Sequence, residues 1–198
     1  MSSLELICRA EQSQQSIALL AEGESYTYQQ LLAASAQVAS GLLAGSNDLE
    51  TARVGFLVPP GFSYAACQWG IWRAGGIAVP LGLQHPLPEL AYVVEDAGIT
   101  ILVADPGWAE KLAPLAEQES LPLLLTDDLL AEPATRLPAV SAERPAMMLY
   151  TSGTTSRPKG VPTTHANIQA QTEALIEAWG WTAADQILHV LPLHHIHG

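Results

Sequence analysis

Tyr150-Thr-Ser-Gly-Thr-Thr-Ser-Arg-Pro-Lys-Gly160 is the stretch on which the fold turns. From Thr151 to Ser156 every side chain is a hydroxyl except Gly153, and Arg157 and Lys159 follow at once. An apolar segment, Ala146-Met-Met-Leu149, runs into the stretch, and an amphipathic segment starting near Thr164 leaves it. That order predicts strand, polar loop, helix. Such loops bind phosphate, because backbone N–H groups and hydroxyls donate hydrogen bonds while a nearby cation offsets the charge. The Walker A spacing G-x-x-x-x-G-K-[ST] is not met, since Pro158 stands at its second glycine and Gly160 follows Lys159. A Ser/Thr-rich surface loop is the bland alternative, and it gives no reason for Pro-Lys-Gly in register.

Working outward, the chain of 198 residues is long enough for one sizeable domain, and 48% hydrophobic residues supply a core. Twenty acids against 8 Lys plus Arg give a formal net charge of -12. Such a field repels nucleic-acid backbone and anionic membrane, so neither is expected as a partner. Arg157 and Lys159 place two of those scarce cations in the loop. Cys8 and Cys67 form no CxxC, so neither a disulfide framework nor a zinc motif is expected. Met1 to Cys8 has no basic n-region and only a short apolar run, and apolar stretches elsewhere are broken before spanning length. A soluble, reduced, cytoplasmic protein is the resulting expectation.

Thr27 and Gln30 form a candidate capping box, with Leu31, Ala34, Val38 and Leu42 at helical spacing and Gly45 to close. Val54 to Val58 predicts a buried strand, residues 63–73 a helix ended by Gly75-Gly76, and Ile77 to Val79 a strand. Residues 88–97 predict a helix with Pro in its first turn, Ile101 to Ala104 a strand, 108–118 a helix containing Pro114, and Leu123 to Leu125 a short strand. Residues 131–144 read as a surface connection. Ile168, Thr172, Leu175, Ile176 and Trp179 predict the inner face of a helix, and Gln186 to Leu191 a last strand. Trp69 and Trp72 share a helical face and are assigned to core packing rather than to a stacking platform. Alternating helices and continuous apolar strands predict an α/β fold, a mainly parallel sheet flanked by helices.

The loop resembles the phosphate loop of the adenylate-forming superfamily of acyl-CoA synthetases, peptide-synthetase adenylation domains and luciferases. Its usual form, Tyr/Phe-Thr-Ser-Gly-Thr/Ser-Thr-Gly-x-Pro-Lys-Gly, is matched at every fixed position except Ser156, which replaces a glycine and restricts the backbone there. Tyr26-Thr-Tyr28, the turn from Arg73 to Pro80 and the unit from Glu89 to Ala104 extend the likeness. The resemblance implies residues 1–198 as the amino-terminal portion of the large domain of an AMP-forming ligase. The rest of that domain and the carboxy-terminal domain lack counterparts here, so the chain alone is expected to be inactive. It implies ATP, Mg²⁺ and CoA as cofactors and a small-molecule carboxylic acid as substrate. The acid is joined to the α-phosphate of ATP with release of pyrophosphate, then passed to a thiol, CoA or that of a carrier protein. A peptide-synthetase-type adenylation domain and a nucleotide-binding or interaction module without turnover are the alternatives. By resemblance, Thr151, Ser152, Gly153, Thr154, Thr155, Ser156 and Lys159 bind the nucleotide phosphates, and Thr151 helps hold Mg²⁺.

Of six histidines, His189, His194, His195 and His197 fall near the carboxy-terminal end. A metal cluster is disfavoured, because no Cys, Asp or Glu lies among them and neighbours on an extended segment point to opposite sides. Loop histidines without a role are the plainer alternative. Leu191-Pro-Leu-His-His-Ile-His-Gly198 resembles the superfamily segment beside the reacting carboxylate and α-phosphate. His195 then matches the catalytic gating position, and His197 and Gly198 begin the acyl pocket. The run is most similar to members using small or dicarboxylic acids, such as malonyl- or oxalyl-CoA synthetases. His189 is expected to be structural, and His165 either a first-turn residue near phosphate or a surface helix cap.

Overall fold

The computed structural model describes residues 4–151 and 157–195. Helix α1 (Glu5–Gln12) leads into a hairpin, β1 (Ile17–Ala21) and β2 (Glu24–Thr27), which turns through positive φ at Glu22 and Gly23. Neither the helix nor the hairpin is expected from the sequence, whose Glu-Gly turn lacks the usual Asn-Gly or Asp-Gly signal. Helix α2 (Tyr28–Leu43) starts on the predicted capping box: Thr27 accepts from the Gln30 backbone N–H and the Gln30 side chain accepts from that of Thr27. Ala44, one residue before Gly45, takes the left-handed closing position.

Then follow β3 (Arg53–Leu57), α3 (Phe62–Arg73), β4 (Ile77–Pro80), α4 (Leu87–Ala97), β5 (Ile101–Ala104), α5 (Ala109–Glu119) and β6 (Leu123–Leu125), close to expectation. Helix α5 keeps Pro114 within it. Helix α6 (Thr126–Ala131) is not anticipated, although Asp127 and Asp128 in its first turn suit the positive end of the helix dipole. Residues 132–144 connect to β7 (Pro145–Thr151), but not purely at the surface. Val140 is buried, and the Thr135 backbone N–H donates to Ser40 Oγ at 2.9 Å.

The large sheet has the order β6-β5-β3-β4-β7-β8, parallel through β7. Its last member, β8 (Lys159–Thr164), is antiparallel to β7 and corrects the expected strand–loop–helix order. Pro162 argues against a strand in sequence, yet β8 is an edge strand, where a missing N–H is tolerated. Helix α7 (His165–Trp179) follows, capped by Thr164 and Asn167. Its expected inner face is only partly realised: Ile168 packs on the core, whereas Trp179 is exposed.

Strand residues alternate between two cores. Val54, Phe56 and Val58 join α2 and α3, including Trp69 and Trp72, while Leu57, Val79 and Leu102 join α4 and α5. This is a sheet covered on both faces, as continuous apolar strands require. The expected strand at Gln186 to Leu191 does not form. Ile187, Leu188 and Val190 are exposed there, and among the described residues no strand pairs with them.

Candidate functional site

The candidate loop is held on a hairpin. Thr151, the last residue of β7, lies opposite Lys159, the first of β8, and Tyr150 lies opposite Gly160. Thr151 is half-buried and Lys159 exposed, so the hydroxyl and the ammonium leave from one rung of the sheet. Because β4 and β7 are parallel neighbours, the segments following both open at the same carboxyl edge. That edge is where α/β sheets bind ligands. Ser152, Gly153, Thr154, Thr155 and Ser156 lie outside the described residues, as do His197 and Gly198.

His85, on the segment after β4, links this edge to the expected gating residue. Its ring meets that of His194 edge-on with centroids 5.0 Å apart, and His194 meets His195 at 4.2 Å. His85 sits over Gly82, where a Cβ would come within 2.8 Å of the imidazole. The turn carrying His194 and His195 is closed by the His195 N–H donating to the Pro192 carbonyl at 3.1 Å. It is pinned to α3 by the Tyr64 hydroxyl, which donates to the Leu193 carbonyl at 3.0 Å. His195 itself is exposed. His85 and Tyr64 thus pack against and hold the turn that carries His194 and His195, and the sequence reading missed both; Gly82 and Pro86, turn residues flanking His85, were the available signal.

The electrostatics suit a site that keeps its donors. Burial pushes the Tyr64 phenol well above its usual range. Burial, then His195 and His85, push His194 down, so it favours the neutral form. Tyr150 is pushed up by burial and by the hydrogen bond it donates to Asp96 Oδ2 at 2.7 Å. Arg157 lies over the Tyr92 ring, 5.4 Å from its centroid.

Other histidines depart from expectation. His189 is exposed, not structural. His165 is neither a surface cap nor open to a phosphate: it is buried against Trp72, and Thr164 is the cap. His85 meets His194 edge-on and His194 meets His195 at a tilt, and among the described residues no group of three or more His, Cys, Asp or Glu is arranged to hold a metal. No described helix is long and apolar enough to cross a membrane.

Known proteins share this frame. Malonate–CoA ligase ACSF3 from Mus musculus is 40% identical over 193 residues, covering 92% of this chain and 33% of that enzyme. Its Xenopus laevis counterpart is 47% identical over 155 residues, covering 74% and 27%. Among solved structures, ATP-bound MatB from Rhodopseudomonas palustris superimposes with a TM-score of 0.84 at 28% identity, covering 100% of this chain and 42% of that one. The chain thus spans about a third of the length of these curated relatives. Both are named mitochondrial, which overturns the cytoplasmic expectation. The features behind that expectation bear on secretion and membrane insertion and carry no information about organelles. Residues 8–198 match the family described as AMP-binding enzyme, and with the hairpin-held loop and sheet edge above, the chain belongs to that family.

Proposed function

We propose that the protein containing this chain activates a small carboxylic acid, malonate, with ATP and transfers it to CoA. The observation that carries this reading is the hairpin rung that sets Thr151 opposite Lys159 at the ligand-binding edge of the sheet. The curated relatives above, malonate–CoA ligases by name, support the acid and favour CoA over a carrier-protein thiol. The likeness to ATP-bound MatB supports the nucleotide.

In the first half-reaction a carboxylate oxygen forms a bond to the α-phosphorus of ATP, and the bond to the leaving pyrophosphate breaks. In the second, the CoA sulfur bonds to the acyl carbon, and AMP leaves with the oxygen it gained. Two anions must meet and charge grows on phosphoryl oxygens, so catalysis is mainly positioning and electrostatic stabilisation. Thr151 and residues 152–156 supply donors to the phosphates, and Lys159 offsets their charge. Mg²⁺ would be held mainly by phosphate oxygens and water, with the Thr151 hydroxyl contributing. His195 stands beside the reacting carboxylate, with His194 and His85 behind it; His197 and Gly198 begin the acyl pocket.

The full-length protein with ATP, Mg²⁺, CoA and malonate should form malonyl-CoA, AMP and pyrophosphate, followed by mass spectrometry of the thioester. Thioester formation from every other acid tried, with none from malonate, would overturn the substrate.

A further inference from the structure

Both stems of the loop touch a single face of α4. The Tyr92 hydroxyl donates to the Pro158 carbonyl at 2.8 Å, and Tyr150 donates to Asp96 Oδ2 at 2.7 Å. Tyr92 and Asp96 are four residues apart, so they stand one above the other on the helix. The Pro158 carbonyl belongs to the peptide that also carries the Lys159 N–H. Tyr92 therefore fixes the plane from which the lysine departs. Its ring also carries the Arg157 guanidinium, 5.4 Å from the centroid, and meets Tyr150 edge-on at 6.2 Å.

The opposite side of Tyr150 is equally constrained. Gly160 faces it across the hairpin, and a Cβ there would lie 3.1 Å from Tyr150 Cζ and 2.9 Å from Met148 Sδ. The phenol is held between the helix and a strand that leaves room for it. Asp96 is exposed, so its hydrogen bond adds little to global stability, but it sets a direction.

We propose that Tyr92 and Asp96 are positioning residues that clamp the two stems of the phosphate loop, fixing where Thr151 and Lys159 present their groups to ATP. This rests on the adenylation reading given above. Their contacts are with Tyr150, Arg157 and Pro158, and they act through these. Burial and the Asp96 bond raise the Tyr150 phenol, so it stays a donor throughout the working pH range.

The test uses the full-length protein and two readouts. Tyr92→Phe removes the bond to Pro158, and Asp96→Ala removes the acceptor of Tyr150, a carboxylate that also interacts with Tyr92. Asp96→Asn keeps an acceptor, and Glu95→Gln removes the adjacent charge without touching the clamp. Hydrogen exchange of peptides spanning residues 150–160, measured without substrates, should quicken in Tyr92→Phe and Asp96→Ala and stay near wild type in the other two. In ATP–pyrophosphate exchange the same two variants should raise the KM for ATP about threefold or more, as expected for a misplaced binding group, with the KM for the acid unchanged. Wild-type loop exchange in both variants, or faster loop exchange with an unchanged KM for ATP, would overturn the clamp. A wild-type protein that supports no pyrophosphate exchange with any acid would defeat the adenylation reading instead, and hydrogen exchange alone would then decide whether the stems are clamped.

Discussion

The imidazole of His165 stands edge-on to the indole of Trp72, with ring centroids 5.6 Å apart at 85°. Trp72 satisfies its own N–H by donating to the Ala146 carbonyl at 2.8 Å, while His165 Nε2 is buried with no hydrogen-bond partner. Burial, aided by Arg144, lowers the His165 pKa from 6.5 to about 4. The folded state thus resists a proton that the unfolded chain accepts. Stability from this group is full above pH 6.5 and falls as the pH drops towards 4, by up to about 1.4 kcal/mol per pH unit. His165→Phe should flatten the stability profile across that window, measured by urea unfolding with tryptophan fluorescence. An unchanged slope would mean that His165 is protonated when folded.

Arg144 makes a two-pronged pair with Asp48, at 2.7 and 2.9 Å, and also donates to the Gly75 carbonyl. Gly75 has φ +83°, and a Cβ there would lie 2.3 Å from Asp48 Oδ1 and 2.8 Å from Arg144 Nη2. Gly75→Ala should therefore cost about 1–3 kcal/mol, through strain and loss of the pair. Arg144→Met should cost a similar amount, about 1–3 kcal/mol, by orphaning a part-buried carboxylate and carbonyl. The Arg144 hydrogen bond holds Asp48 below its usual 3.8. Its contribution is present above that value and lost as pH falls below it. Arg144→Met should thus blunt the acid limb below pH 3.8, distinct from the His165 window.

Replacing Thr154 and Thr155 together by Ala should lower ATP affinity or pyrophosphate exchange in the full-length protein by about tenfold or more, since hydrogen bonds to charged groups are lost. Exchange equal to wild type would remove the loop from the nucleotide site.

His195→Ala should slow the first half-reaction while leaving the melting temperature nearly unchanged, because the side chain is exposed. Zinc found by elemental analysis in the wild type, and lost with activity in this variant, would instead assign the histidine a metal.

The central strands were legible because Val54 to Val58, Ile77 to Val79 and Ile101 to Ala104 are apolar runs bounded by turn residues. β8 was hidden by Pro162, whose cost vanishes only at an edge, and edge position is a property of the whole sheet. The run Gln186 to Leu191 has strand composition, but among the described residues no strand lies beside it, and pairing is what makes a strand. Of the candidate site, the hydroxyl-rich loop is a local signal that the sequence displays directly. The hold of Tyr92 on Pro158, the seat of His85 against His194 and the burial of His165 join residues far apart in sequence, so no spacing announces them.

The most direct measurement is acid-dependent ATP–pyrophosphate exchange by the full-length protein against a panel of malonate, acetate, propionate, succinate and oxalate. Malonate should support exchange with the highest kcat/KM, and omitting the acid should abolish it. No exchange with any acid, or exchange in which malonate ranks with the blank, would contradict the account.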